Sequence, residues 1–360
     1  MTRSDTTVNP RADRDGRSAV SEESGLGAAA SGPTASKNGA AAGSGANRRS
    51  GSAVSRVGDR VMTTLATGSG LLVSVVIGLI ALFLLIQAVP ALAKNGANFF
   101  TYTGSWIVSG ATLEFGIPRQ FYATVLVSVI ALIIAMPVAL GIALFVTEYA
   151  PKRLAAPIAY VVDLLAAIPS IVYGLWGILV LGPALVGVNN WLVDDLGFLP
   201  FFARPENAAN MSTGGTMMTA GIVLAVMILP VITAVTREVF AQTPASHREA
   251  ALALGATQFE VVRYAVLPFG FSGYISGSML GLGRALGETM ALLLIMSTAG
   301  PINFNLMESG QTFATVIANN AAEFDSPLKT GAYISAGLVL FALTFLVNAA
   351  ARSVIARRGK

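Results

Sequence analysis

The chain has 360 residues, 54% of them hydrophobic and 12% charged, with a formal net charge of +4 and a mean hydropathy of +0.68. Soluble domains carry about 25% charged residues, so this composition suits lipid as the solvent. Cys is absent and His247 is the only histidine, which excludes disulfides and Cys-based redox or metal chemistry and leaves little for histidine chemistry. Residues 1–60 hold nine Lys/Arg and six Asp/Glu, and the rest hold fourteen and thirteen, so the excess positive charge sits in the tail and argues for no nucleic-acid partner.

Residues 1–60 are rich in Gly, Ala, Ser and Arg and poor in large apolar side chains. Such a segment cannot bury enough surface to offset its ordering entropy and reads as a disordered tail. A regulatory arm is the alternative. No apolar run long enough for a signal peptide precedes about Leu71. Residues 61–360 then form a membrane domain. Six apolar runs long enough to cross a bilayer as helices follow, at about 69–93, 121–147, 157–182, 216–239, 268–298 and 331–352. The fold class predicted is all-α, with six transmembrane helices.

Lys and Arg near the span ends set the expected orientation. Thirteen fall on one side (Arg48, Arg49, Arg56, Arg60, Lys152, Arg153, Arg237, Arg248, Arg263, Arg352, Arg357, Arg358 and Lys360) and four on the other (Lys94, Arg119, Arg204 and Lys329). Both termini and the polar loop 240–267 are therefore expected in the cytoplasm. The outer connections are 94–120, 183–215 and 299–330. Within the last, Phe313, Val316, Ile317 and Ala321 share a face and predict a short helix lying near the outer interface. Pro137, Pro169 and Pro230 sit inside spans and favour kinks. At Ile168-Pro169-Ser170, freed carbonyls and the Ser170 hydroxyl would line a polar path, or the break would serve packing alone.

The fifth span carries Arg284 and Glu288. Their spacing of four predicts a shared helical face. Charges at membrane depth cost several kcal/mol each and persist only when paired or facing water. Two readings stand: a structural ion pair, or Arg284 meeting an anion in transit while Glu288 and the adjacent Thr289 complete the path. Gly277, Gly281, Gly283 and Gly287 form two small-xxx-small patterns, which suit close packing within the chain or against a second subunit. The loop Glu249–Pro268 predicts two short helices hinged at Gly255, with Ala250, Ala251, Leu254 and Phe259 as an apolar ridge and Arg248, Glu249, Glu260 and Arg263 as its charged rim. A ridge of that kind suits docking into a partner's groove. No catalytic constellation and no GxxxxGK[ST] loop occurs, so neither an enzyme nor a P-loop nucleotide site is expected in this chain.

Glu249-Ala250-Ala251-x-x-x-Gly255, followed by Leu267-Pro268, resembles the EAA loop of bacterial ABC importer permeases. Ala265 stands where that pattern usually has Ile. Two longer stretches, Asp163-Leu-Leu-Ala-Ala-Ile-Pro-Ser-Ile-Val-Tyr-Gly-Leu-Trp-Gly177 and Leu280-Gly-Leu-Gly-Arg-Ala-Leu-Gly-Glu-Thr-Met-Ala291, are similar to the PstC type of phosphate permease. The sister PstA type typically has Gly-Glu-Thr-Ala-Pro at the second stretch. The resemblance covers about residues 65–355. It implies a type I, MetI-like permease in a bacterial cytoplasmic membrane, importing inorganic phosphate. Glu249, Ala250, Ala251, Gly255, Leu267 and Pro268 would then meet an ATPase. The partners implied are a PstA-type permease, two PstB-type ATPases that carry the ATP-Mg, and a PstS-type phosphate-binding protein; no cofactor is implied for this chain itself. A permease for sulfate or molybdate and a stand-alone ion-coupled carrier are the rival readings.

Overall fold

The computed structural model describes residues 56–108, 113–206, 208–296, 302 and 304–358. These residues are helical apart from connecting turns and two isolated bridges, Asn95 with Leu113 and Ile107 with Glu114. In chain order the helices are α1 (Arg56–Ala93), α2 (Pro118–Leu144), α3 (Lys152–Ala167), α4 (Ser170–Trp176), α5 (Gly182–Leu196), α6 (Ala208–Thr213), α7 (Met217–Ala241), α8 (Ala245–Ala253), α9 (Gln258–Val261), α10 (Leu267–Leu286), α11 (Met290–Ile295), α12 (Phe313–Asn319) and α13 (Pro327–Arg358). The chain divides into two units, Met1–Met62 and Thr63–Lys360, and of the first only residues 56–62 are described. The expected tail and its regulatory role lie outside the described residues as far as position 55. Residues 56–60, counted with the tail, are instead the first turns of α1, where Asp59 suits the positive helix start.

Among the described residues, six helices are long and apolar enough to cross a membrane: Gly58–Ala93, Pro118–Tyr149, Ser170–Leu196, Met211–Ala241, Gln258–Leu286 and Pro327–Ser353. The chain is an all-α, multi-pass membrane protein. The first span begins at Gly58, not 69, and the third is Ser170–Leu196, so residues 183–196 of the expected outer connection belong to a span. The breaks in the third and fifth runs have physical reasons. The run 157–182 is cut at Ile168-Pro169, which is extended, so α3 and the helix starting at Ser170 are separate pieces. Proline disfavours helical geometry in the residue before it. Pro137 and Pro230, by contrast, lie inside unbroken helices. The run 268–298 begins ten residues earlier, at Gln258, and stops at Leu286. Pro268 has no N–H to donate, and a π-helical turn over Val262–Val266 carries the chain from α9 into α10 without a break.

The core is built by α2, α7 and α10. Ala123, Val127, Ala131, Ala135, Ala139 and Ala143 recur every fourth residue on α2 and are all fully or almost fully buried. Small side chains at that spacing let helix backbones approach closely. On α10, a Cβ at Gly270, Gly273, Gly277 or Gly281 would press on Phe240, Val239, Val235 or Ile232 of α7, the last two at 3.1 and 2.8 Å. The first small-xxx-small pattern therefore packs within the chain. Gly283 has nothing within 4 Å of its Cβ direction.

The segment 304–316 lies across the start of α7. Met217 N donates to Glu308 O (2.8 Å), Met218 N to Leu306 O (3.0 Å), and Glu206 N to the buried Glu308 carboxylate (2.6 Å). The predicted short helix forms as α12, capped by Thr312, and its apolar face is turned into the bundle. Phe313, Thr315 and Val316 are buried, and Phe313 N donates to Thr124 Oγ1 of α2 at 3.1 Å. Its apolar face finds α13 and α2 before it can reach lipid. Ala321 falls beyond it, in a 3-10 turn.

Candidate functional site

Arg284 and Glu288 do not share a helical face. The helix ends at Leu286, Gly287 caps it, and Glu288 lies in the turn before α11. Glu288 is buried, and its Oε1 accepts a hydrogen bond from Ala291 N at 3.1 Å, so the carboxylate caps α11. A negative charge at a helix start is favourable. Among the described residues no ion pair joins the two side chains. Arg284 has no ion-pair partner within this chain among the described residues. Thr289 also turns to the break, with Oγ1 donating to Gly287 O at 3.3 Å.

Arg284 is exposed at the surface of this chain. It lies on a continuous open stripe of α10, with Ser272, Ser276, Leu280 and the exposed Gly287. The adjoining face, with Gly277 and Gly281, is the one committed to α7. Serine, glycine and arginine on the open stripe suit a water-lined surface better than lipid, because a charge facing hydrocarbon costs several kcal/mol.

The two helix breaks lie at the same depth. A Cβ at Gly174 would meet Ala291 Cα at 2.8 Å, and one at Gly177 would meet Ile295 Cδ1 at 2.8 Å. This register runs α4 parallel to α11 and sets Ser170 level with Gly287. Gly177 also abuts Val223 of α7, which sets Ser170 close to Pro230, near the middle of that helix. Gly281 abuts Ile232 and Ile228, so Arg284 sits at nearly the same level. Arg284 is also within electrostatic reach of Tyr173, one turn beyond Ser170. The Tyr173 hydroxyl donates to Leu165 O at 2.8 Å and holds the end of α3 against α4.

The start of the third span is thus a helix start level with the middle of α7. Pro169 supplies no side-chain cap, and the first helical bond runs from Val172 N to Pro169 O (3.0 Å), which leaves the N–H groups of Ser170 and Ile171 ahead of the ladder. Broken spans whose helix starts point to the midplane can cradle anions. Ser170 is half-buried there.

At the α8 end, α8 and α9 are separated by Gly255, whose φ of +83° suits glycine. Thr257 and Glu260 form a reciprocal capping box that starts α9. Glu249 and Ala250 are exposed, and Leu252, Leu254 (89% exposed) and Phe259 stand out as an unpartnered apolar ridge. Leu267, grouped with this surface in the sequence, instead packs inward on Ala143, Phe240 and Val266. Pro268 is exposed and Ala251 half-buried.

No motif singled out Glu148, yet it anchors this loop. Arg248 Nη2 donates to Glu148 Oε1 at 2.7 Å and to Phe240 O at 3.0 Å, and Arg248 Nη1 donates to Thr243 O at 3.2 Å. A second tie joins Arg237 of α7 to Asp163 of α3, at 3.2 Å.

A family model described as "Binding-protein-dependent transport system inner membrane component" matches residues 135–360. A relative named "Phosphate transport system permease protein PstC 2", from Mycobacterium bovis, is 54% identical over 300 residues, covering 83% of this chain and 92% of the relative. "Phosphate transport system permease protein PstC" of Mycobacterium leprae is 52% identical over 275 residues (76% and 86%), and that of Mesorhizobium japonicum is 38% identical over 304 residues (83% and 90%). Among solved structures, an inward-facing MetNI methionine ABC transporter is similar, with a TM-score of 0.49 and 14% identity, covering 67% of this chain and 94% of that one. By the family match over residues 135–360 and the identity to these relatives along most of their length, the chain belongs to the binding-protein-dependent transport system inner membrane components, in the branch of PstC-type phosphate permeases.

Proposed function

We propose that this chain is one of two membrane-spanning subunits of an ATP-driven importer of inorganic phosphate, and that the anion passes along the open stripe of α10. The observation that carries the reading is Arg284: an exposed guanidinium without an ion-pair partner among the described residues, level with two broken helices. An oxyanion cannot enter hydrocarbon unaided, since desolvation costs on the order of tens of kcal/mol. Arg284 offers charge-assisted, forked hydrogen bonds, and the start of α4 at Ser170 adds a positive helix end. Glu288, with its carboxylate held by Ala291 N, positions the break rather than the cargo.

The second permease covers the stripe with Gly283 and Gly287, where this chain leaves open space. The ridge of Leu252, Leu254 and Phe259, rimmed by Glu249 and Arg263, docks into a cytoplasmic ATPase that binds ATP-Mg and hydrolyses it. This end of the molecule faces the cytoplasm. A phosphate-binding protein delivers the anion to the opposite end. Closure of the ATPase pair moves α8, and α10 follows through the continuous helix from Gln258.

The test is uptake of labelled phosphate by the reconstituted complex, with and without ATP. ATP-dependent uptake supports the reading; uptake that persists without an ATPase returns the stand-alone carrier. Guanidinium and helix-end recognition suits any tetrahedral oxyanion, so competition by sulfate and molybdate decides the cargo.

A further inference from the structure

At the end of the bundle opposite α8, a pocket of about 180 Å³ lies between the loop at 104–106, the first turn of α2, α12 and the start of α13. Ser105, Trp106, Arg119, Gln120, Asn320 and Tyr333 are among its walls. Arg119 Nε is buried and has no hydrogen-bond partner, and the guanidinium takes part in no ion pair among the described residues. A buried donor left unmade costs roughly 1–3 kcal/mol, more when charged. The backbone adds to this demand for an acceptor. Phe121 N makes the first helical bond, to Ile117 O at 2.9 Å, so the N–H groups of Arg119 and Gln120 precede the ladder of a 27-residue helix. Ile117 provides no side-chain cap.

The walls are held independently of Arg119. Trp106 stacks on Tyr333 with ring centroids 5.5 Å apart, and its Nε1 donates to Gly116 O at 2.7 Å. The Tyr333 hydroxyl donates to Glu323 Oε2 at 3.1 Å, which turns that carboxylate to the ring, outside the pocket lining. Water takes about 30 Å³ per molecule, so the space holds an oxyanion with part of its hydration.

We propose that this pocket is a second anion site, which binds a tetrahedral oxyanion such as phosphate through Arg119. It is distinct from the Arg284 stripe. Arg119 is one turn before Ala123, which flanks Gly310 together with Met217, while Arg284 is level with about Met227. At 1.5 Å of rise per residue the two guanidinium groups are separated by roughly 20 Å of depth. A site there raises the local anion concentration at one mouth of the path, whatever Arg284 does.

Trp106 reports on the pocket. The full chain carrying Trp176→Phe and Trp191→Phe keeps Trp106 as its one tryptophan, and both replaced rings are exposed. Inorganic phosphate, titrated at constant ionic strength against this chain in maltoside micelles, is expected to change Trp106 emission saturably. Arg119→Gln should weaken the apparent affinity at least tenfold, Arg119→Lys by less, and Arg284→Ala by less than twofold. The last comparison separates this site from the transport reading. The proposal is overturned if Arg119→Gln and Arg119→Lys both titrate like the parent, or if chloride produces the same change. It is equally overturned if phosphatidylglycerol alone gives the full response and phosphate then adds nothing, because the ligand would be a lipid headgroup.

Discussion

Arg248 Nη2 reaches Glu148 Oε1 at 2.7 Å and so joins the end of the second span to α8 across a sequence separation of 100 residues. The Glu148 side chain is only 4% exposed and that of Arg248 27%. On the proposed function, a push on α8 would be received by α2 as well as by α10.

Removing one member of a fully buried pair costs roughly 3–5 kcal/mol; Arg248 is partly wet and keeps its bonds to Phe240 O and Thr243 O. Glu148→Ala is expected to cost about 2 kcal/mol and to lower the melting temperature of the purified chain. Transport in the assembled complex should fall further than ATP hydrolysis does. A Glu148→Ala complex that melts and transports like the parent would remove the pair from the coupling route.

Arg284 has no protein ion pair to lose, so Arg284→Ala should leave the fold intact. Phosphate uptake by the assembled complex is expected to fall at least tenfold, about 1.4 kcal/mol of lost stabilisation. Arg284→Lys should recover part of it, since an ammonium keeps the charge but not the fork. Unchanged uptake by Arg284→Ala would refute the anion contact.

The glycines of α10 should separate into two classes. A Cβ at Gly277 would lie 3.1 Å from Val235, and one at Gly281 only 2.8 Å from Ile232. Gly281→Leu is expected to lower the melting temperature of the isolated chain, overpacking being worth about 1–3 kcal/mol. A Cβ at Gly283 meets nothing within 4 Å in this chain, so Gly283→Leu has room and should leave that melt unchanged. Its effect should appear as reduced co-purification with the second permease. Equal effects of the two substitutions on the isolated melt would contradict the assignment of faces.

Gly255 is in the left-handed region with open space around it, so the cost of a side chain there is conformational, not steric. Gly255→Ala should cost about 1–2 kcal/mol locally, and Gly255→Asn less. Both are expected to cut ATP-driven uptake in the order of their strain while the spans stay folded by circular dichroism. If Ala and Asn transport equally well, the elbow does not need this geometry.

Composition was enough to reveal the membrane as solvent, since Leu-, Ile- and Val-rich runs with few charges have no other stable setting. Gly255 between two helix-forming segments was enough to place the elbow, because the signal is local. The period-four alanines of α2 were visible as letters, but only α7 gives them meaning. Residues 284–291 show the limit most plainly. Spacing alone predicted one helix with both charges on one face. The turn at Gly287 exists because Glu288 finds Ala291 N and α11 finds Gly174 of α4. Likewise Glu148 and Arg248 meet only after α7 and α8 bring distant segments together. Lipid preference and backbone freedom are properties of each residue and its neighbours, so the sequence by itself determined the number of spans and the elbow. Which face of α10 is open, and which charges are paired, was decided by contacts between helices, and those exist only once the bundle is packed.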